Sequence, residues 1–482
     1  MKKVILKIKD FFKPVDLTQG TTWKVLLLFA LPVFLSSILD NAFSLINSLV
    51  LKTTVGGDSV TAIGSTSSIS MILFNFSYGC SGGFAIIAAN KIGEKKYEDL
   101  NKVLYSSMIL SLITAITISI IGFCTYKDLL NILNVDQRYI EKASNYYQII
   151  LIAYPLMVIG SLFGNFLRAL GNSIAPLLIS FGHTLLNIIF AFLFTGVIHL
   201  DTRGVAFATL IGNLFYCVVC IAYMFKKYPY LRPHKESFKL EKSLTLNLLK
   251  LGFPLGLQWS ILFIGSFVQS GRINLYGNGL ATKAVTCYQP FESYLTLPLS
   301  VMASSLLNFV GQNYGAKNKE RIKKGIKQAL TIDIIIYLLA VTIGLLFAEK
   351  VPYIFMPANE INDPINGPRI IYYCSTYLKV LAPCLILQGI LQLSRSSLQG
   401  IKKPLIPFLS GVGELIARIL VCLYLPSLFD PNNPLSDTGY LGLCFSTPAA
   451  WLASFIIMGS CMIYFIFIKN LKELDKITET DD

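Results

Sequence analysis

The sequence predicts an all-α polytopic membrane protein with twelve transmembrane helices in two pseudo-symmetric six-helix lobes. Three observations point there. The 482 residues are 54% hydrophobic and only 14% charged, with a mean hydropathy of +0.61, a composition outside that of soluble domains. Charge and turn clusters cut the chain into about twelve apolar runs of roughly 20 residues or more, each long enough to cross a bilayer. Motifs in the first half also recur in the second at a nearly constant spacing.

The apolar runs fall at residues 24–50, 59–89, 103–124, 140–167, 175–198, 204–226, 247–276, 282–312, 326–348, 369–395, 404–426 and 439–468. The first of them carries Pro32, Asp40, Asn41 and Asn47 where lipid would penalise them, so a carboxyl in its middle points to a function. Ahead of it, Lys2–Lys13 has the lysine-studded apolar character of an interfacial amphipathic helix rather than of a cleavable signal. The N-terminus, the connections at 91–102, Arg168, 226–250, 317–327 and 395–403, and the tail hold about 30 of the 41 Lys and Arg. Both termini are therefore expected in the cytoplasm of a multi-pass plasma-membrane protein. The formal charge of +14 is spread through short loops, which fixes topology and argues against a nucleic-acid partner.

The repeat sets the domain plan. Phe29-Ala30-Leu31-Pro32 answers to Leu251-Gly252-Phe253-Pro254, and Ala89-Asn90-Lys91-Ile92-Gly93 answers to Gly311-Gln312-Asn313-Tyr314-Gly315, both at a spacing of 222. Phe166-Leu167-Arg168-Ala169-Leu170-Gly171 with Pro176 answers to Leu398-Gln399-Gly400-Ile401 with Pro407, with the extra length assigned to an outer loop at Glu349–Pro368. The expected domains are an N-terminal lobe at 1–227, a basic linker at 228–246, a C-terminal lobe at 247–468 and a tail at 469–482. Six helices per half gives both halves one orientation, the parallel-repeat plan of secondary transporters.

The stretches LINSLVLKTTVGGDSVTAIGST (Leu45–Thr66), FLRALGNSIAP (Phe166–Pro176), GLQWSI (Gly256–Ile261), FVGQNYGAKNKERIKKG (Phe309–Gly325) and LQGIKKPLIP (Leu398–Pro407) resemble, in order, the multidrug and toxic compound extrusion (MATE) family. The resemblance covers nearly the whole chain and is nearest to the bacterial DinF/MepA-like branch. It implies a V-shaped antiporter that exports small organic, often cationic, compounds in exchange for H+ or Na+, with no other cofactor and no bound metal. It also implies a coupling site in the first lobe, at positions that here hold Asn47, Asn187, Ala191 and Gly212. The usual carboxylates are absent from these positions, and a glutamate that some relatives carry in helix 7 falls near Leu262.

Candidate residues follow from what remains. Asp40 stands seven residues before Asn47 and His183 four before Asn187, each shift placing the earlier residue on nearly the same helix face and toward the cytoplasm. The expectation is an ion-coupling site of Asp40 and His183 with Asn47 and Asn187 beside it. The competing reading makes His183 a satisfied core residue and Asp40 locally bonded. Glu292, about ten residues into helix 8, is the expected cation-attracting carboxylate of the substrate cavity, with pairing to Arg272 as the alternative. Gln258, Tyr288 and Gln289 are further cavity candidates by position. Glu414 and Arg418 have the favourable order for a structural i,i+4 pair, and Asp333 and Lys379 are expected near helix ends.

Other classes lose support. No GxxxxGK[ST], HExxH or GxSxG occurs, which argues against an ATP-driven pump and an enzyme. Cys217 and Cys220 lie in an apolar run and read as small hydrophobes rather than metal ligands. A lipid-linked saccharide flippase of the same superfamily remains open, as does an intramembrane enzyme or a non-transporting scaffold. The chain is expected to work as a monomer in the lipid bilayer.

Overall fold

Twelve helices long and apolar enough to cross a membrane stand where the apolar runs predict them. The computed structural model describes residues 14–54, 57–132, 137–472 and 474, with the side chains at 40, 42–53, 57–61, 64–65, 67–70, 129–132, 137, 139 and 235 excepted. The expected interfacial helix at Lys2–Lys13 lies outside the described residues. The first six helices are α1 (Thr22–Thr54), α2 (Gly57–Gly93), α3 (Tyr97–Ile132), α4 (Gln137–Ala169), α5 (Ile174–Phe192) and α6 (Asp201–Lys227). The second six are α7 (Lys242–Ile273), α8 (Leu280–Gly315), α9 (Lys319–Phe347), α10 (Asn366–Gly400), α11 (Leu405–Phe429) and α12, which is made of Asp437–Cys444 and Ser446–Met462.

Most of these helices are apolar all round, so lipid-facing and buried faces separate by side-chain size rather than by polarity. In α9 the residues Ile334, Ile335, Leu338, Leu339 and Leu346 are exposed, a surface only lipid would cover. Ile326, Ala329, Asp333, Ala340 and Gly344 form its buried stripe at helical spacing. Prolines stay inside α1, α4, α7, α8, α10 and α11, as membrane helices tolerate. In each half the third helix packs on the fourth, and the sixth takes both the fourth and the fifth, the contact pattern expected of a duplicated unit.

Connections carry structure that periodicity misses. The loop at Glu349–Pro368 contains two short helices, Val351–Phe355 and Ala358–Ile361. Beside it, the Lys379 ammonium bonds Glu349 at 2.7 Å and holds that exposed carboxyl below the usual carboxylate range. At the start of α12, the Ser436 hydroxyl accepts from the Gly439 N–H and donates to Asp430 at 2.6 Å, capping the helix.

By internal contacts the chain divides into two compact units. The first comprises residues 1–257 with 311–317, and the second 258–310 with 318–482. Inside the first unit, glycines let helix backbones touch. Gly79 and Gly83 of α2 meet Gly252 and Gly256 of α7, two G-x-x-x-G faces where an added Cβ at Gly83 would lie 2.6 Å from the Gly252 Cα. The repeat-related ends of α2 and α8 approach more closely still: a Cβ on Gly93 would fall 1.9 Å from the Gln312 carbonyl oxygen, and one on Gly315 would fall 1.9 Å from that of Asn90. A strap at residues 14–20 is stitched beside them. Its Val15 N–H donates to the Gly171 carbonyl at 2.9 Å, the Leu17 N–H to Gln312 Oε1 at 3.2 Å, and Asn313 Nδ2 to the Leu17 carbonyl at 3.0 Å.

A methyl group cannot sit 1.9 Å from a carbonyl oxygen, so Gly93→Ala and Gly315→Ala must each push the two helix ends apart. Each is expected to destabilise the protein by roughly 2–4 kcal/mol. Gly82→Ala, whose Cβ meets nothing within 4 Å, should be close to neutral. Thermal unfolding of the purified variants in detergent checks the ranking.

Candidate functional sites in the two units

In the first unit, α5 and α6 are brought together by small residues. Gly212 of α6 sits so close to α5 that an added Cβ would lie 3.1 Å from His183 Cδ2 and 3.4 Å from Asn187 Cβ. His183, Asn187 and Gly212 therefore share one interface, and Ala191 is buried one turn further along α5. Both side-chain polar atoms of Asn187 are buried without a hydrogen-bond partner, a cost that marks a polar group kept for a purpose. The His183 ring packs edge-on against Tyr216 at 6.0 Å. The helix carrying Asp40 and Asn47, α1, packs on α5. The side chains of Asp40 and Asn47 themselves lie outside the described residues.

Beside this interface is a cavity of about 290 Å³. Phe74, Ser77 and Tyr78 of α2, Met157, Val158, Ser161 and Arg168 of α4, Ser180 and His183 of α5, and Asn213 and Tyr216 of α6 line it. A polar rail runs along the α2 and α4 side. Arg168 donates to Asn165 Oδ1 at 3.2 Å, Asn165 donates to Ser81 Oγ at 2.9 Å, and Ser81 meets the Ser161 hydroxyl at 3.2 Å. The described lining residues offer aromatic faces, hydroxyls, an imidazole and a guanidinium, with no carboxylate among them.

The second unit holds a chain of polar contacts through its interior. Arg395 Nη2 of α10 donates to Glu414 Oε2 of α11 at 3.3 Å, and Glu414 Oε1 lies 3.5 Å from Arg418 Nη2 one turn on. Arg418 Nη1 donates to Gln269 Oε1 of α7 at 3.1 Å, and the Thr447 hydroxyl of α12 donates to the same oxygen at 3.1 Å. Thr447 also bonds Tyr377, and the Tyr377 hydroxyl donates to Glu292 Oε2 of α8 at 3.0 Å. Tyr288 stacks on Tyr377 with ring centroids 3.9 Å apart. The path crosses five helices, and all its members except the half-buried Glu292 are buried. Arg418 is close enough to act electrostatically on Glu292. Two guanidiniums and two carboxylates thus form one internally balanced set.

The structure corrects two expectations here. The alternative pairing of Glu292 with Arg272 is not present: Glu292 bonds Tyr377, and Arg272 Nε, in the last turn of α7, is buried without a hydrogen-bond partner. Lys379 is not near a helix end but is the fourteenth residue of the 35-residue α10, and neither is Asp333 near one. Asp333 is the fifteenth residue of the 29-residue α9 and only 3% exposed, because α9 begins seven residues before the apolar run that frames it.

The expected Glu414–Arg418 pair is present, and Arg395 joins it from α10. Gln258 is buried and accepts from Gln399 Nε2 at 3.5 Å, while Gln289 is exposed beside the buried Tyr288. Tyr377, Thr447, Gln269 and Arg395 have no partner at helical spacing in their own apolar runs, and only the packing joins them.

Comparison with known proteins bears on what these sites serve. The family model MatE matches residues 32–193 and 254–424, one match in each half. The "Probable multidrug resistance protein YoeA" of Bacillus subtilis is 24% identical over 350 residues, covering 71% of this chain and 75% of that protein. The "Multidrug export protein MepA" of Staphylococcus haemolyticus is 23% identical over 444 residues, covering 91% and 94%. A solved structure described as the outward-facing conformation of a multidrug resistance MATE family transporter of the MOP superfamily superposes with a TM-score of 0.85 at 20% identity, over 94% of this chain and 98% of that one.

The buried ion set predicts a specific loss. Glu414→Gln leaves two buried guanidiniums facing a neutral amide and should destabilise the protein by roughly 3–5 kcal/mol. Adding Arg395→Met removes the surplus charge and should recover about half of that loss or more. Detergent thermal-unfolding midpoints of the single and double variants measure both effects.

Proposed function

This chain belongs to the MatE family of multidrug efflux transporters, and from that premise we propose that it is a secondary active antiporter. It exports small organic cations in exchange for H+ or Na+, with its two six-helix halves alternating in access. It acts as a monomer in the plasma membrane with both termini in the cytoplasm, as the distribution of Lys and Arg favours.

The observation that carries the cation reading is Glu292 next to the stacked Tyr288–Tyr377 pair. A carboxylate supplies the counter-charge for an organic cation, and an aromatic face supplies dispersion and cation–π attraction. The α5–α6 interface supports a separate coupling element in the first unit, since a histidine and an unsatisfied asparagine face the small residue Gly212. The half-buried carboxylate Glu292 is supported as the substrate group by its accessibility, and its balance against Arg418 makes its charge consequential.

One observation favours the flippase reading. Among its described residues the first-unit cavity presents Arg168 and hydroxyl groups, a lining suited to phosphate-bearing groups.

Ethidium flux in proteoliposomes, with proton and sodium gradients imposed separately, tests the proposal. Glu292→Gln should lower ethidium transport by about tenfold or more, equivalent to about 1.4 kcal/mol. Asp40→Asn and His183→Gln should weaken the response to the gradient more than they weaken ethidium binding. Wild-type protein that moves no ethidium under either gradient would overturn the antiport reading.

A further inference from the structure

We propose that Asp333 is a proton-binding site in the core of the second unit, the place where a coupling proton is carried on α9. The proposal rests on the antiport reading above and specifies its ion.

The geometry leaves few alternatives. Asp333 belongs to the buried stripe of α9, opposite the face that carries Ile334, Ile335, Leu338 and Leu339. Neither carboxyl oxygen has a hydrogen-bond partner, although the residue is 3% exposed. Its surroundings are apolar by construction: a Cβ added to Gly389 of α10 would lie 3.5 Å from Asp333 Oδ2 and 3.4 Å from the Leu299 side chain of α8. The missing side chain at Gly389 is what makes room for the carboxyl.

Among the described residues no charged group bonds it. On α9 itself, Tyr337 is the titratable neighbour one turn along, and its hydroxyl donates to the Pro383 carbonyl of α10 at 3.2 Å. On α8 and α10, Ser300 and Gln392 bond each other at 3.1 Å, and neither bonds Asp333. Lys379 of α10 is engaged with Glu349. An ionised carboxylate in such a place costs several kcal/mol with nothing to offset it.

Only a proton can remove that charge in the space available. A sodium ion would have to exchange its water shell for several oxygen ligands. Asp333 offers two oxygens, and among the described residues no hydroxyl group bonds either of them. Binding converts the carboxylate to the neutral acid, with one O–H bond formed and no other group altered. The proton leaves when the site becomes hydrated. A purely structural residue at this position would be better as leucine, which fills the same space at no electrostatic cost; a carboxyl here is instead what proton exchange requires.

Three variants in full-length protein decide the matter. Asp333→Asn keeps the shape and removes the exchangeable proton, Asp333→Leu removes the polarity, and Asp333→Glu keeps the chemistry. In proteoliposomes the wild type should move ethidium under a proton gradient. Asp333→Asn and Asp333→Leu should reduce that gradient-driven transport by about tenfold or more, Asp333→Glu should restore part of it, and ethidium–ethidium exchange without a gradient should stay within about twofold of wild type in all three.

Gradient-driven transport unchanged in Asp333→Asn and Asp333→Leu would overturn the proposal and leave Asp333 as a packing defect. Loss of exchange together with drive would also count against it, since that is the signature of a disrupted fold. The infrared carbonyl band of a protonated carboxyl at neutral pH gives an independent reading of the site. It should be present in wild type and absent from Asp333→Asn, and a spectrum identical in the two overturns the proposal. If the wild type moves no ethidium while this band is lost in Asp333→Asn, the antiport reading fails and the proton site stands.

Discussion

Charge in an interior without water has to be matched within a few ångströms or removed, and the second unit uses both solutions. Arg395 and Arg418 would leave two positive charges in the apolar core; Glu414 sits between them and offsets one. The fourth charge, Glu292, is reached through Gln269, Thr447 and Tyr377, so the balance extends over α7, α8, α10, α11 and α12. A cation arriving at Glu292 changes the charge of the whole set, not of one side chain. Low dielectric makes such a change consequential at distances where water would screen it. A binding event at the accessible end is thereby connected to the packing of five helices.

The first unit depends on a different constraint, the closeness of backbones. Gly79, Gly83, Gly252 and Gly256 remove the side chains that would hold α2 and α7 apart, and Gly93 with Gly315 does the same for the ends of α2 and α8. Without a hydrophobic driving force between helices in lipid, such close approach supplies dispersion contacts that larger residues cannot. The strap at residues 14–20 then joins the same place through backbone bonds to Gly171, Gln312 and Asn313. The motifs that betray the duplication in sequence are the motifs that make this junction. Asn90-x-x-Gly93 and Gln312-Asn313-x-Gly315 repeat because each provides the surface on which the other lies.

Much of the fold was legible because span length and loop charge are local properties. Every one of the twelve apolar runs is a helix, and the repeat appears as a recurring pattern of helix contacts. The sites were legible only in part. His183 and Asn187 could be placed on one face because both lie on α5, and Glu414 could be paired with Arg418 because both lie on α11. Arg395, Gln269, Thr447 and Tyr377 could not be joined, since they come from three helices and each looks like an isolated polar residue. Asp333 was misplaced for a related reason: the basic first turns of α9, Lys319–Ile326, read as loop by hydropathy although they are helical. Counting from the apolar run moved a mid-helix carboxyl to the end.

Two carboxyls in one unit have opposite surroundings, and on the proposed reading they take different ligands of the exchange. Glu292 has a tyrosine donor, a nearby guanidinium and a half-buried position, so it has partners for its oxygens and room for a ligand beside it. Asp333 has no donor, no cation and almost no access, the conditions under which a carboxyl holds a proton. An antiporter needs its two ligands to be bound in alternation. If both bound at one carboxyl they would compete directly; bound at two, they compete through the packing of the helices between them. Leu299 of α8 lies between these roles: it belongs to the helix that carries Glu292, and it touches the Gly389 position that adjoins Asp333. On the proposed reading, a movement of α8 that opens Glu292 to substrate would alter the wall of the Asp333 pocket, and hydration of that pocket would release its proton.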